Sequence, residues 1–227
     1  MGCFVPFNSR NLDISLFAFR PMVVFENELL NALKHFSSCT QSLGCVHSAI
    51  FRSIHGNMII WYGAWMKRSN QNKELLNGTL LSMLSNVSTM ALLIDHSFFD
   101  AYAGESHDGS LAAKFSTGDT ISMNAILFSD DKDSDSKNDV AYAFLAIFRS
   151  RFSKMDGAIS GVCLKCQSRK RSVNLFVWKS LQSCYTWILT ADYRKTVLPF
   201  LDEHLPLEIK YDMFRVVYVS GDDAVSF

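Results

Sequence analysis

The sequence predicts an α+β fold: a mixed, largely antiparallel sheet with helices packed on it, forming a single domain over residues 1–227. Three observations carry this. Hairpin signatures alternate with amphipathic helical stretches. Hydrophobic residues make up 48% of the chain and aromatic residues 13%, enough for a sizeable core. Finally, Ala49-Ile50-Phe51-Arg52-Ser53 recurs as Ala146-Ile147-Phe148-Arg149-Ser150. That recurrence predicts an internal duplication of a strand-helix-hairpin-helix-strand unit, with halves at about 1–104 and 110–227. The competing reading is that hairpins alternating with helices are common in α+β folds, and that the shared pentapeptide is coincidence.

The elements follow in order. Asp13 to Arg20 reads as a strand buried on both faces, with Ile14, Leu16 and Ala18 on one side and Phe17 and Phe19 on the other, ended by Pro21. From Glu26 the period changes to helical, with Leu29, Leu30, Leu33 and Phe36 on one face and polar Ser37 to Ser42 closing the unit. A hairpin runs from Val46 to Met66 through a turn at His55-Gly56-Asn57. Lys67 to Asn72 is a polar break, and Asn72 to Leu84 is a helix that turns Leu76, Leu80, Met83 and Leu84 inward. Met90 to Ile94 and Ser97 to Tyr102 are strand-like, ending in a loop from Gly104 to Ser110. Leu111 to Phe115 is a strand, while Thr120 to Phe128 fits helix or strand. Ser129 to Asp139 has no apolar residue and is expected to be an exposed, flexible insertion. Val140 to Arg149 and Ala158 to Leu164 are expected as strands, Ser172 to Thr190 as a helix, and Ile209 to Val219 as the closing strand.

Charge and targeting signals narrow the function classes. Twenty-two basic residues balance 22 acidic ones, so no global field attracts nucleic acid or an anionic membrane. The cluster Lys165, Arg169, Lys170 and Arg171 lacks interleaved aromatics and reads as a solvated loop. No apolar run is long enough to span a membrane, and Asn8, Ser9, Arg10 and Asp13 break any leader-like stretch. Six scattered cysteines point to reduced thiols, and so to the cytosol or nucleus. Met1-Gly2-Cys3 invites lipid anchoring, but Pro6 stands where that motif wants Ser or Thr.

The candidate chemistry is sparse. Cys163-Leu164-Lys165-Cys166 is a single C-x-x-C with no second pair, so no metal site and no cofactor is expected, and a strand terminus with one buried and one exposed thiol is the favoured reading. His96-Ser97-Phe98-Phe99-Asp100 resembles the H-x-x-x-D signature of acyltransferases that use a histidine base. Ala101 replaces that family's glycine, and its second Asp-Phe-Gly-Trp-Gly element is absent. With the polar loop that follows, this leaves His96, Asp100, Tyr102 and His107 as candidate ligand-binding residues.

Cys3-Phe4-Val5-Pro6-Phe7-Asn8, Arg10-Asn11-Leu12-Asp13-Ile14-Ser15 and the stretch from Tyr211-Asp212 to Gly221-Asp222 resemble an uncharacterised land-plant family classed as a domain of unknown function. The resemblance implies a soluble plant protein and transfers no active site. Together these readings favour a non-enzymatic interaction or regulatory module with a protein partner. The alternative is a small-molecule-binding protein or acyltransferase-like enzyme with a cleft around His96.

Overall fold

The computed structural model describes residues 2–8, 11–128, 145–146, 148–169, 171–190 and 207–221. The first half runs β2 (Leu12–Pro21), α1 (Glu26–Gln41), β3 (Cys45–Ser53), β4 (Ile59–Met66), α2 (Asn70–Met83) and β5 (Ala91–Ser106). The second runs β7 (Thr120–Phe128), a helical stretch at 145–146 and 148–152, β8 (Ala158–Cys166), β9 (Arg171–Trp178), α3 (Leu181–Thr190) and β10 (Leu207–Val219). Two short strands, β1 (Cys3–Pro6) and β6 (Ala112–Phe115), pair with each other.

Within each half the strand order is fourth, first, third, second: β5-β2-β4-β3 and β10-β7-β9-β8. This is the ferredoxin-like β-α-β-β-α-β arrangement. The two four-stranded sheets join at β5–β8 and β10–β3, closing an eight-stranded barrel whose every pairing is antiparallel. Closure leaves no free edge in that sheet.

Alternation decides where each side chain goes. Ile14, Leu16, Phe51, Phe99, Leu175 and Phe214 fill the barrel interior. The β1–β6 hairpin contributes Cys3, Val5, Phe7 and Phe115 to the same core. A Cβ on Gly104 of β5 would lie 2.1 Å from the Phe7 ring, so only glycine lets this hairpin seat. The outward face of the first half packs Phe17, Phe19, Trp61 and Trp65 against Leu29, Leu33 and Phe36 of α1 and Leu76 and Leu80 of α2. The outward face of the second half packs Phe176, Trp178 and Met213 against Phe148, Phe152 and Cys184. A Cβ on Gly161 of β8 would lie 2.6 Å from Phe176 and 2.8 Å from Phe148, so this glycine lets the helical stretch approach the sheet.

The α+β class and the antiparallel sheet are as expected, and several elements differ from expectation. The two pentapeptide copies do not correspond: Ala49–Ser53 lies in β3, whereas 146 and 148–150 are helical. Ser172 to Thr190 is not one helix. Its first part is β9, in which Val173, Leu175 and Val177 face inward while Asn174, Phe176 and Trp178 face outward. A strand buried on both faces reads as a continuous apolar run, which periodicity cannot separate from a helix. The same ambiguity at Thr120–Phe128 resolves as strand. Ser37–Gln41 continues α1, because Ser37 and Thr40 are buried and hydrogen-bonded. Strand β5 runs unbroken through Gly104 to Ser106. The expected insertion at 129–139 lies outside the described residues. Among the described residues no helix is long and apolar enough to cross a membrane.

Candidate functional site

The expected ligand residues all lie on β5 or just past it, yet they serve different layers. Residues 96 and 107 are eleven positions apart, on the order of 30 Å along a strand. His96 stacks on Phe17, ring centroids 5.7 Å apart, on the face under the first half's helices. Asp100 pairs with Lys67 and accepts from Gln167 Nε2 at 3.0 Å. Tyr102, at the register shift between Ala101 and Ala103, packs against the second half's layer. His107 stacks on Phe152 at 4.6 Å, at the rim of that layer. Tyr102 and His107 thus share a layer that His96 and Asp100 do not.

Asp100 belongs to a polar network that ties the halves together. Gln167 Nε2 donates to Asp13 Oδ1 at 2.7 Å, and Lys73 Nζ donates to Gln167 Oε1 at 2.8 Å. Lys67 Nζ lies 3.0 Å from Asp13, whose carboxylate is almost fully buried. Burial alone would raise the Asp13 pKa, but hydrogen bonds from Gln167, Lys67 and the Arg68 amide outweigh it and hold the carboxyl below its usual value. Both Asp13 oxygens and the Gln167 Oε1 are matched by donors, so this network is structural.

The second half's layer is different. Tyr102 on β5, Cys163 on β8, Asn174 on β9 and Asn124 on β7 form one row across four neighbouring strands. Cys163 is the register partner of Asn174, and Asn174 that of Asn124. Four adjacent strands span about 14 Å. The two asparagines are 5% and 6% exposed and Cys163 is fully buried. Among the described residues, no hydrogen-bond partner meets the Asn124 Oδ1 or Asn174 Oδ1 oxygens, while the Tyr102 hydroxyl interacts with the Cys163 thiol and Ser172. Beside them, Trp178 Nε1 donates to Ser122 Oγ at 2.8 Å, so the same face satisfies its indole.

The row is electrically neutral. Burial pushes the Cys163 thiol up to about 12; the Tyr102 hydroxyl and Arg149 oppose this shift and Glu105 adds to it. Burial likewise raises the Tyr102 pKa, helped by the adjacent Cys163. At neutral pH neither ionises, so this thiol is no ready nucleophile. Cys163 and Cys166, three positions apart on one strand, belong to the outer layer and the barrel interior respectively, which excludes a paired dithiol. Among the described residues no three His, Cys, Asp or Glu side chains gather as a metal would require. What the row offers is hydrogen-bonding oxygens over an aromatic floor.

Sequence reading found Tyr102 and His107 and missed Asn124 and Asn174. The available signal was the alternation Ser172, Asn174, Phe176, Trp178 against Val173, Leu175, Val177. It placed a polar amide on a face otherwise covered, once the segment is taken as strand.

The fold and this row define a class: an α+β barrel of two ferredoxin-like sheets carrying a buried polar row under one helical layer. By sequence, residues 97–214 match the family described as Domain of unknown function (DUF7392), and the chain belongs to that family. No curated protein sequence matches it. In structure the chain is similar to an anthrone oxidase-like protein (TM-score 0.74, 12% identity, 96% of this chain and 95% of that one covered). It is also similar to a putative monooxygenase from Fusobacterium nucleatum subsp. nucleatum (TM-score 0.60, 11% identity, 92% and 94% covered). A putative chlorite dismutase has a TM-score of 0.54 at 11% identity, with 91% and 95% covered. At these identities the likeness is one of fold. It corrects the expectation of a non-enzymatic interaction module, since the solved structures that share the fold are described as an anthrone oxidase-like protein, a monooxygenase and a chlorite dismutase.

Proposed function

We propose that this chain is a small-molecule-binding protein with an enzyme-like fold, and that its ligand sits between the second half's sheet and the helices covering it. The observation that carries this is the buried register pair of Asn124 and Asn174, whose side-chain oxygens lack donors among the described residues. Buried polar groups in native proteins are almost always paired, so an orphaned pair implies an absent partner. Phe176 and Trp178 beside it supply the apolar floor that a small-molecule site needs. The fold shared with proteins titled anthrone oxidase-like and monooxygenase supports an organic ligand of a few fused rings, a size that the row's length accommodates.

The matching strand order of the two halves supports their origin from one β-α-β-β-α-β unit, aligned by topology and not through the pentapeptide. Since the barrel closes only across both halves, the chain acts as one domain. Thermal-shift and calorimetric titration with fused-ring aromatics tests the ligand reading. A ligand at 100 times its Kd raises stability by about 2.7 kcal/mol. A flat response across the set would sink it.

A further inference from the structure

The orphaned atoms also specify what the ligand carries. The two asparagine oxygens can only accept hydrogen bonds, and they sit on directly paired residues of β7 and β9. Side chains so paired have Cβ atoms about 4.5–5.5 Å apart. Tyr102 adds a hydroxyl at the far end of the row. Among the described residues, Arg149 lies near enough to Cys163 to act on its thiol, and the Arg171 guanidinium pairs with Asp95. An ionised carboxylate brings only acceptors and would leave the two asparagine oxygens unpaired. A quinone or ketone would fare no better, since it also brings only acceptors.

Resting on the site proposed above, we propose that it takes the hydroxylated form of an aromatic ligand, with two O–H donors facing Asn124 and Asn174, and discriminates against the oxidised or O-alkylated form of the same skeleton. A site with unpaired acceptors rejects an analogue lacking the donors because its own oxygens then stay unsatisfied. The selectivity thus comes from desolvation and not from shape.

The test uses the full chain and three probes on one carbon skeleton: a naphthalenediol, its dimethyl ether and the corresponding naphthoquinone, measured by calorimetry. The expected result is that the ether and the quinone bind at least about tenfold more weakly than the diol, the loss that one missing hydrogen bond of about 1.4 kcal/mol produces. In Asn174→Leu that preference should collapse to within about twofold. Asn124→Val provides the same readout should the first variant fail to fold. Equal binding of all three probes, or preference for the quinone, overturns the donor inference while leaving the site standing. Absence of binding by any probe overturns the site and this inference together.

Discussion

The two outward layers of the barrel are built on the same strand order and differ in how they treat polar groups. In the first half, Trp61 Nε1 donates to Ser37 Oγ and Trp65 Nε1 to Ser15 Oγ, both at 2.8 Å, inside an otherwise apolar cluster. Its orphaned oxygens are a serine hydroxyl, Ser48, and an amide on α2, Asn77. In the second half Asn124 and Asn174 are orphaned as a register pair on the outward face, with Thr120, Ser160 and the Arg171 Nε orphaned apart from them. The first layer is therefore a completed core. The second keeps a register pair of buried asparagine oxygens without donors among the described residues, which is the feature the proposed site rests on.

The comparison is broken most severely by Trp61→Ala. Trp61 is fully buried and touches Phe17, Phe36 and Trp65. Urea unfolding should show a loss of about 3–5 kcal/mol. A loss below 1 kcal/mol would mean that the first layer is not a completed core.

Asp13→Asn comes next. It leaves Lys67 and Lys73 without their shared carboxylate, and breaking a buried pair costs about 3–5 kcal/mol, toward the lower end here because Lys67 is partly solvated. The sign with pH follows from the depressed carboxyl. Asp13 contributes stability above its unfolded pKa of about 3.9, and that contribution is lost as pH falls through the lower folded value. The parent and the variant should differ most near pH 7 and converge in strong acid. A constant gap across that range would show that the network is not electrostatic.

Gly161→Val tests the second layer's closeness. Its side chain would collide with Phe176 and Phe148, at a cost of about 1–3 kcal/mol from overpacking. Full tolerance in a thermal melt would mean that the helical stretch does not sit on the sheet.

The smallest effect sharpens the contrast. Asn174→Leu removes an orphaned acceptor and should leave stability unchanged or raise it by about 1 kcal/mol, while abolishing ligand-induced stabilisation. A loss of several kcal/mol without ligand would mean that the amide is paired in the free protein.

The first half was legible because its signals are local. Pro21 ends β2, Glu26 and Glu28 open α1, and His55-Gly56-Asn57 separates two strands. Each follows from backbone chemistry that the residue itself carries. The second half was less legible because β9 is apolar on both faces, as a strand between barrel interior and helices must be, so its period is hidden.

The candidate site divides in the same way. Composition and spacing singled out Tyr102 and His107 as polar residues near a strand's end, and disfavoured a zinc or dithiol role for Cys163 and Cys166. They could not unite Tyr102 with Asn124 and Asn174, which lie 22 and 72 positions further along the chain (124 − 102 and 174 − 102). By itself, the sequence determined the class of fold, most of the strands and the inward-facing residues, because alternation and turn chemistry act over a few residues. Tertiary structure alone decided that the sheet closes, that Tyr102 falls at a register shift of β5 against β8, and that a pair of amide oxygens is buried without donors among the described residues. Pairing register and burial are properties of strands brought together across the barrel, and no single segment encodes them.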